Sequence, residues 1–549
     1  MTRRHRVLIL GLDGATFDII KPLVAQGKLP HLARLMREGT HGVLASTFPP
    51  ITPTAWTSFM TGKNPGRHGI FDFEQAAWGS YDFRPVPANQ HGHKTLWRIA
   101  GEQGRTAVVI DVPFTYPPEP IRGYMITGYG TPVAGAPSFT HPPDLEQELA
   151  AACGECRPAI PESLPNLTPD FFREWDRLLD NRDCINDYLL REVDWDLYMI
   201  VFGVTDNVQH VLWNYLEPLH PDYHSKEGAD FRARLFHYYE RVDASIGRML
   251  AHVDEGTHIV VMSDHGFGSV RPGLFLPGLL MEWGMLKFRQ SALAGVGERA
   301  MRFVLNLYRR SPRLRAMLNR MRTENKERLR SAMTKANLLP SMDQVDWSQT
   351  KVFATRFGVN LFVNRVGRFP HGIVRPGAEY GALLQELEER LLGLRDEALG
   401  TPVVKAVHRR EALYRGEHTE LGPDLVVEWA NLYDPARDGR NDVRVPGVVG
   451  NHVPEGVYIL HGPGVRPGAT LDAQITDIAP TVLYLMGLPV PSDMDGRVLL
   501  EALEPAYTQD HPVVAGEPAV VAGPVEGYSY SAEEQAQIEE QLRGLGYID

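Results

Sequence analysis

Val7-Leu-Ile-Leu-Gly-Leu12 runs without a polar residue into Asp13-Gly14, and this abrupt change constrains the fold more than any other feature of the chain. An apolar run of that length without alternation reads as a short strand buried on both faces, closed by a turn at Gly11, Asp13 and Gly14. Runs of the same kind lie at 107–112, 197–204, 258–262 and 457–460. Between most of them apolar residues follow helical spacing, as in Leu23, Leu29, Leu32, Leu35 and Met36, or over 231–252 and 381–394. Strands alternating with helices predict an α/β fold with a mainly parallel central sheet flanked by helices. Ligands of such sheets sit outside the carboxyl ends of the strands. Asp13, Asp206 and Asp264-His265 each follow one of these strands, so acidic and imidazole groups are expected to converge on one edge.

The chain of 549 residues, 43% of them apolar, can bury a core for one large α/β domain with insertions, or for two to three smaller domains. Its net charge of −12 disfavours a nucleic-acid partner, which needs a basic face. Three cysteines give no disulfide framework, and Cys153-x-x-Cys156 is half of a zinc site at best. The first apolar run is too short for a signal peptide and no later stretch suits a membrane span, so a cytoplasmic location is expected.

One segment departs from the average. Residues 287–335 hold fourteen Lys and Arg against three Glu, with Phe303, Leu307, Leu314, Met317, Leu318 and Met321 at helical spacing. This predicts a basic helical insertion over 285–345, serving as a cap, as a lid that attracts an anionic substrate, or as a contact with an acidic membrane surface. It divides the core into 1–284 and 346–508. A tail follows over 509–549, in which Ser531-Ala-Glu-Glu534 fits a capping box and opens a short helix.

Four separated clusters can do chemistry. They are Gly11-Leu-Asp13-Gly14; Thr52 within Pro50-Ile-Thr52-Pro-Thr-Ala-Trp56, leading to Thr61-Gly62 and Pro65-Gly-Arg67-His68-Gly69-Ile70; Asp206-Asn-Val-Gln-His210 with Ser263-Asp264-His265-Gly266; and Gly450-Asn451-His452. Singly each is weak: an Asp after a strand is often a helix N-cap, and Asp-x-x-x-His on one helix face is often a surface pair. Together they supply three carboxylates, three imidazoles and a hydroxyl, a donor set suited to two zinc ions, with manganese or iron as alternatives.

In this order the motifs resemble the alkaline phosphatase superfamily, in its type I phosphodiesterase/nucleotide pyrophosphatase branch. The resemblance extends to Thr476-Asp477-Ile-Ala-Pro480-Thr481 and Met494-Asp-Gly496, and covers roughly 5–280 and 345–505. It implies an alkaline-phosphatase-like core and two divalent ions, one held by Asp13, Thr52, Asp264 and His265, the other by Asp206, His210 and His452. Counting back from Thr61-Gly62 places Thr52, rather than Thr54 or Thr57, at the nucleophile position. The implied reaction is phosphoester hydrolysis through a phospho-threonine, with a diester favoured over a monoester and a small phosphoester as the partner. The branch's T-F-P-N pattern, whose Asn donates to phosphate, is here Thr52-Pro-Thr-Ala55, so that donor is missing. Lys63, Lys94 and Arg67 are candidate replacements, Arg67 and His68 also being suited to hold the loop, and backbone N–H groups around 53–55 could supply a further donor. Headgroup transfer to lipid or glycan on the same fold is the nearest alternative. A sulfatase needs a Cys or Ser in C/S-x-P-x-R, and a non-catalytic relative would lack ligands that are all present here.

Overall fold

The computed structural model describes residues 5–88, 92–132, 138–158, 169–218, 223–272, 276–289, 342–355, 359–395, 400–430, 433–434, 449–520 and 528–544. Apart from its two ends, the stretch expected to form the basic insertion lies outside the described residues.

Val7–Leu12 occupies the centre of a nine-stranded sheet. The order across it is Ala473–Gln474, Thr40–Ala45, Glu455–His461, His258–Met262, Val7–Leu12, Leu197–Phe202, Ala107–Val112, Gly123–Thr127 and Thr140–His141. The five strands from His258–Met262 to Gly123–Thr127 are mutually parallel. Glu455–His461 and Thr140–His141 run antiparallel to their neighbours. All six residues of Val7–Leu12 are buried because the two-residue period feeds two cores at once. Leu8, Leu10 and Leu12 join Tyr198, Ile200, Phe202, Ile259 and Val261 on one face, against the helices Phe17–Ala25, Pro30–Glu38, Pro169–Glu192 and Lys226–Leu250. Val7 and Ile9 join Met199, Val201, Val260 and Met262 on the other, against Thr52–Thr61, Leu96–Glu102 and Ile478–Leu485.

Several boundaries move for local reasons. The helix expected over 231–252 starts at Lys226, because the Ser225 side chain accepts from Gly228 N–H and caps it earlier. The strand expected to reach 204 stops at Phe202, since the helix Val204–Leu212 begins there. Residues 352–429 carry a four-stranded antiparallel sheet of their own, ordered Val352–Ala354, Asn360–Val363, Leu425–Trp429, Val404–Arg409, with the helix Ala378–Leu392 packed on it. The reading of 346–508 as one half of the core did not separate this sheet. In the tail, Ser531 N–H donates to Glu534 Oε2 and Glu534 N–H to Ser531 Oγ, the reciprocal pair of a capping box, at the head of Ala532–Gly544.

The cysteine expectation is corrected. Cys153 pairs with Cys184, 31 positions away on the next helix, and Cys156 is a buried free thiol. Spacing drew attention to Cys153 and Cys156, whereas the packing of Leu145–Cys153 beside Pro169–Glu192 brings the third cysteine into reach. Among the described residues no helix is long and apolar enough to cross a membrane.

Candidate active site

Every strand of the parallel core delivers its carboxyl end to the same edge, and four chain segments meet there. Asp13 follows Val7–Leu12 directly; Thr205 Oγ1 donates to its carbonyl at 2.6 Å and so ties the turn to the neighbouring strand end. Gly14 N–H donates to Asp264 Oδ1 at 3.2 Å. Asp206 and His210 lie one turn apart on Val204–Leu212, on a common face. Asp264 and His265, fully buried, lie between His258–Met262 and the strand Gly266–Pro272. That strand pairs antiparallel with Val449–Val453, with Phe267 opposite His452. A two-stranded ladder thus brings His452 back to the site from far along the chain.

Thr52 opens the helix Thr52–Thr61, every residue of which is buried. Its Oγ1 stands 3.4 Å from His265 Nε2. Pro53 has no N–H and that of Ala55 donates to Ile51 O, so over 53–55 only Thr54 retains an N–H outside the helical ladder. The stretch expected to offer backbone donors narrows to that one group, at the positive end of the helix.

The seven side chains form two groups, Asp13 with Asp264 and His265, and Asp206 with His210 and His452, while Thr52 adjoins the first through His265. Within each group the donor atoms lie within 4.8 Å of one another. Asp206 Oδ1 is 3.3 Å from both His210 Nε2 and His452 Nε2, and these two nitrogens are 3.0 Å apart. His265 Nε2 lies 3.2 Å from Asp264 Oδ2 and 3.7 Å from Asp13 Oδ1. The His265 and His452 rings stack with centroids 3.5 Å apart, so the groups are contiguous.

Tautomers follow from the outer contacts. His265 Nδ1 faces Gly266 O at 3.0 Å and His452 Nδ1 faces Pro50 O at 3.1 Å. A carbonyl accepts only, so each Nδ1 carries a hydrogen; His265, which burial holds neutral, turns the Nε2 lone pair inward, and His452 does so whenever its Nε2 is not giving a proton to Asp206. The carboxylates tell the same story. Burial, then the charges of Asp264 and Asp206, pushes Asp13 well above the usual carboxylate range. Burial, then Asp206, pushes Asp264 up to about 8. Burial opposes ionisation of Asp206 as well, yet His210 and His452 hold it well below its ordinary value. Burial likewise drives His265 far down. With protein groups alone around them, burial and mutual repulsion oppose ionisation of Asp13 and Asp264 beside the Asp206 carboxylate. Asp13 Oδ1 and Asp264 Oδ2 are buried and receive no N–H or hydroxyl hydrogen from the described residues, so that without a cation the two carboxyls have only a proton shared between them. Converging lone pairs, orphaned carboxylate oxygens and missing positive charge are what a divalent cation would satisfy.

The two candidate lysines are engaged elsewhere. Lys63 follows the far end of the helix Thr52–Thr61, about 15 Å along its axis from Thr52. There its buried ammonium is held by Asp493, His93 and the Ala519 carbonyl. Lys94 pairs with Glu102 at 2.7 Å. Arg67 bonds Asp495 at 3.0 Å, and His68 bonds Ser58 at 2.9 Å, so both pin the loop after the helix. Sequence reasoning missed Trp56, whose Nε1 donates to Asp13 Oδ2 at 3.2 Å; nothing in its spacing announced that contact.

A parallel sheet whose carboxyl edge gathers Asp, His and a helix-borne threonine defines an alkaline-phosphatase-like hydrolase. A profile described as type I phosphodiesterase / nucleotide pyrophosphatase matches residues 7–369. The chain belongs to that family and is a phosphoester hydrolase of the alkaline phosphatase superfamily. No curated protein matches it in sequence. Among solved structures it is similar to murine ectonucleotide pyrophosphatase / phosphodiesterase 5, an inactive variant in complex with AMP. That likeness has a TM-score of 0.50 and 12% identity, covering 92% of this chain and 99% of that one. It is also similar to phosphonoacetate hydrolase from Sinorhizobium meliloti 1021 in complex with phosphonoformate, with a TM-score of 0.52, 15% identity, and 88% and 95% of the two chains covered. At these identities the likeness concerns the fold.

Proposed function

We propose that the protein hydrolyses a small phosphodiester by two successive displacements, with Thr52 as nucleophile and the seven-residue cluster as the seat of two divalent ions. The observation that carries this reading is the pair of orphaned, buried carboxylate oxygens beside inward-facing imidazole nitrogens, with Thr52 Oγ1 adjoining them. Asp13, Asp264, His265 and Thr52 would hold one ion, and Asp206, His210 and His452 the other, zinc suiting the mixed carboxylate–imidazole set with manganese or iron as alternatives. Bound there, such ions supply Lewis acidity that lowers the pKa of a hydroxyl and offsets charge on a leaving oxygen.

Thr52 Oγ attacks phosphorus, giving its proton to solvent water, and the bond from phosphorus to the ester oxygen breaks, the departing alkoxide taking a proton from water to leave as an alcohol. Water then cleaves the phospho-threonine, returning the hydroxyl and freeing a monoester. The Thr54 N–H, outside the helical ladder at the start of a buried helix, would serve as a donor to charge on a non-bridging oxygen. A diester is favoured because Lys63, Lys94 and Arg67 each have an acidic partner, leaving none of these three to grip a dianion. The AMP held by one similar structure is a phosphate ester and the phosphonoformate held by the other a phosphonate, which makes phosphate esters and phosphonates the first substrates to try. The cytoplasmic expectation meets one contrary observation, the Cys153–Cys184 disulfide, since such bonds persist in oxidising compartments.

The test replaces the hydroxyl. At saturating zinc, Thr52→Ala is expected to lose at least roughly a thousandfold in kcat on bis-p-nitrophenyl phosphate, with Thr52→Ser retaining a measurable part. Wild-type turnover by Thr52→Ala would overturn the assignment.

A further inference from the structure

Trp56 lies one helical turn beyond Thr52 and is completely buried. Its indole Nε1 donates to Asp13 Oδ2 at 3.2 Å, while Asp13 Oδ1 faces His265 Nε2 at 3.7 Å. The ring reaches the end of the first strand only because Gly11 has no side chain. A Cβ there would lie 2.9 Å from the indole Cη2 and 2.8 Å from Val201. On its other side the ring meets Phe59 edge-on, with centroids 5.7 Å apart, and joins the core on that face of the sheet. The indole is thus fixed by packing before its N–H is used.

We infer that Trp56 is a positioning residue for the metal ligand Asp13, an inference that rests on the two-ion reading above. One carboxylate oxygen is anchored on the nucleophile's own helix, so the other is presented inward in a single orientation. Thr52 and Asp13 are then tied to one rigid turn of α-helix, and the hydroxyl keeps its distance from the ion that Asp13 helps to hold. Trp56 touches neither substrate nor reacting atoms; it acts through Asp13. A donor bonded to a ligand's outer atom typically contributes a factor of roughly 10–100 to metal affinity.

Trp56→Phe removes the N–H and keeps an aromatic ring in the same cavity. Zinc affinity of the apoprotein is read by competition with a chromophoric chelator, beside apoprotein melting and steady-state kinetics. The expected result is one of two ions weakened by roughly 10–100-fold, apoprotein melting within a few degrees of wild type, and kcat lowered at limiting zinc with KM unchanged. A merely structural role would lower melting and leave zinc affinity alone. A folded Trp56→Phe that binds both ions as tightly as wild type overturns the inference while leaving the two-ion reading intact. A wild-type chain that binds no zinc removes both. Should Trp56→Phe fail to fold, the wild type is read by indole ¹⁵N–¹H spectra during zinc titration, with the signal of Trp213, near the other group, identified in Trp213→Phe. A second indole resonance moving with zinc supports the assignment, and none moving overturns it.

Discussion

At Gly14, φ is +64° and an added Cβ would lie 2.8 Å from Asp206 Oδ1. One residue therefore makes the turn after the first strand, gives its N–H to Asp264 and leaves room for Asp206 of the other group. Gly14→Ala would pay roughly 1–2 kcal/mol for the left-handed backbone and would push Asp206 off His210 and His452. The expected outcome is a folded chain that retains one zinc and loses the other at stoichiometric metal, read by elemental analysis after gel filtration. Two retained ions would show that Asp206 has freedom which the close packing denies it. The Asp-Gly pair was legible in the sequence because a polar turn after a buried strand is abrupt. Trp56 was not, since an indole in an apolar helix looks like core until its N–H is seen to face Asp13.

Between elements, Asp72 joins the loop after the helix Thr52–Thr61 to the antiparallel sheet. It accepts from Asn360 Nδ2 at 2.8 Å and from Thr355 Oγ1 at 3.3 Å. Burial pushes its carboxyl up to about 7. A carboxyl whose pKa is higher folded than unfolded stabilises the fold only while protonated. That contribution is complete below an unfolded value of about 4 and disappears as pH rises through 7, amounting to at most roughly 4 kcal/mol. Asp72→Asn keeps an acceptor for Asn360 and removes the charge, so its melting temperature should exceed wild type at pH 8 and match it near pH 4. A variant less stable than wild type at pH 8 would mean that Asp72 is held as a carboxylate there. The sheet to which Asp72 bonds was hard to read in the sequence for a physical reason. Its strands Val352–Ala354 and Asn360–Val363 have three and four residues, too few to display a period. Parallel strands buried on both faces, such as Val7–Leu12 and Leu197–Phe202, announce themselves by composition alone.

Across the whole molecule, chain positions from 13 to 452 meet because parallel strands put their carboxyl ends on one edge and a ladder folds His452 back onto it. The first of these devices was legible in the sequence; the second was not, since neither Gly266–Pro272 nor Val449–Val453 reads as a strand when taken alone. The disulfide was hidden for a related reason, its partners being set by helix packing rather than by spacing. Central to the proposed mechanism is a first attack on phosphorus by the hydroxyl of Thr52 rather than by a water molecule. In-line displacement inverts phosphorus, so two successive displacements restore its configuration and one reverses it. The stereochemical course with a chiral phosphorothioate diester, hydrolysed in ¹⁸O-water, therefore separates the two routes directly. Net retention is the predicted result, and net inversion would contradict attack by Thr52.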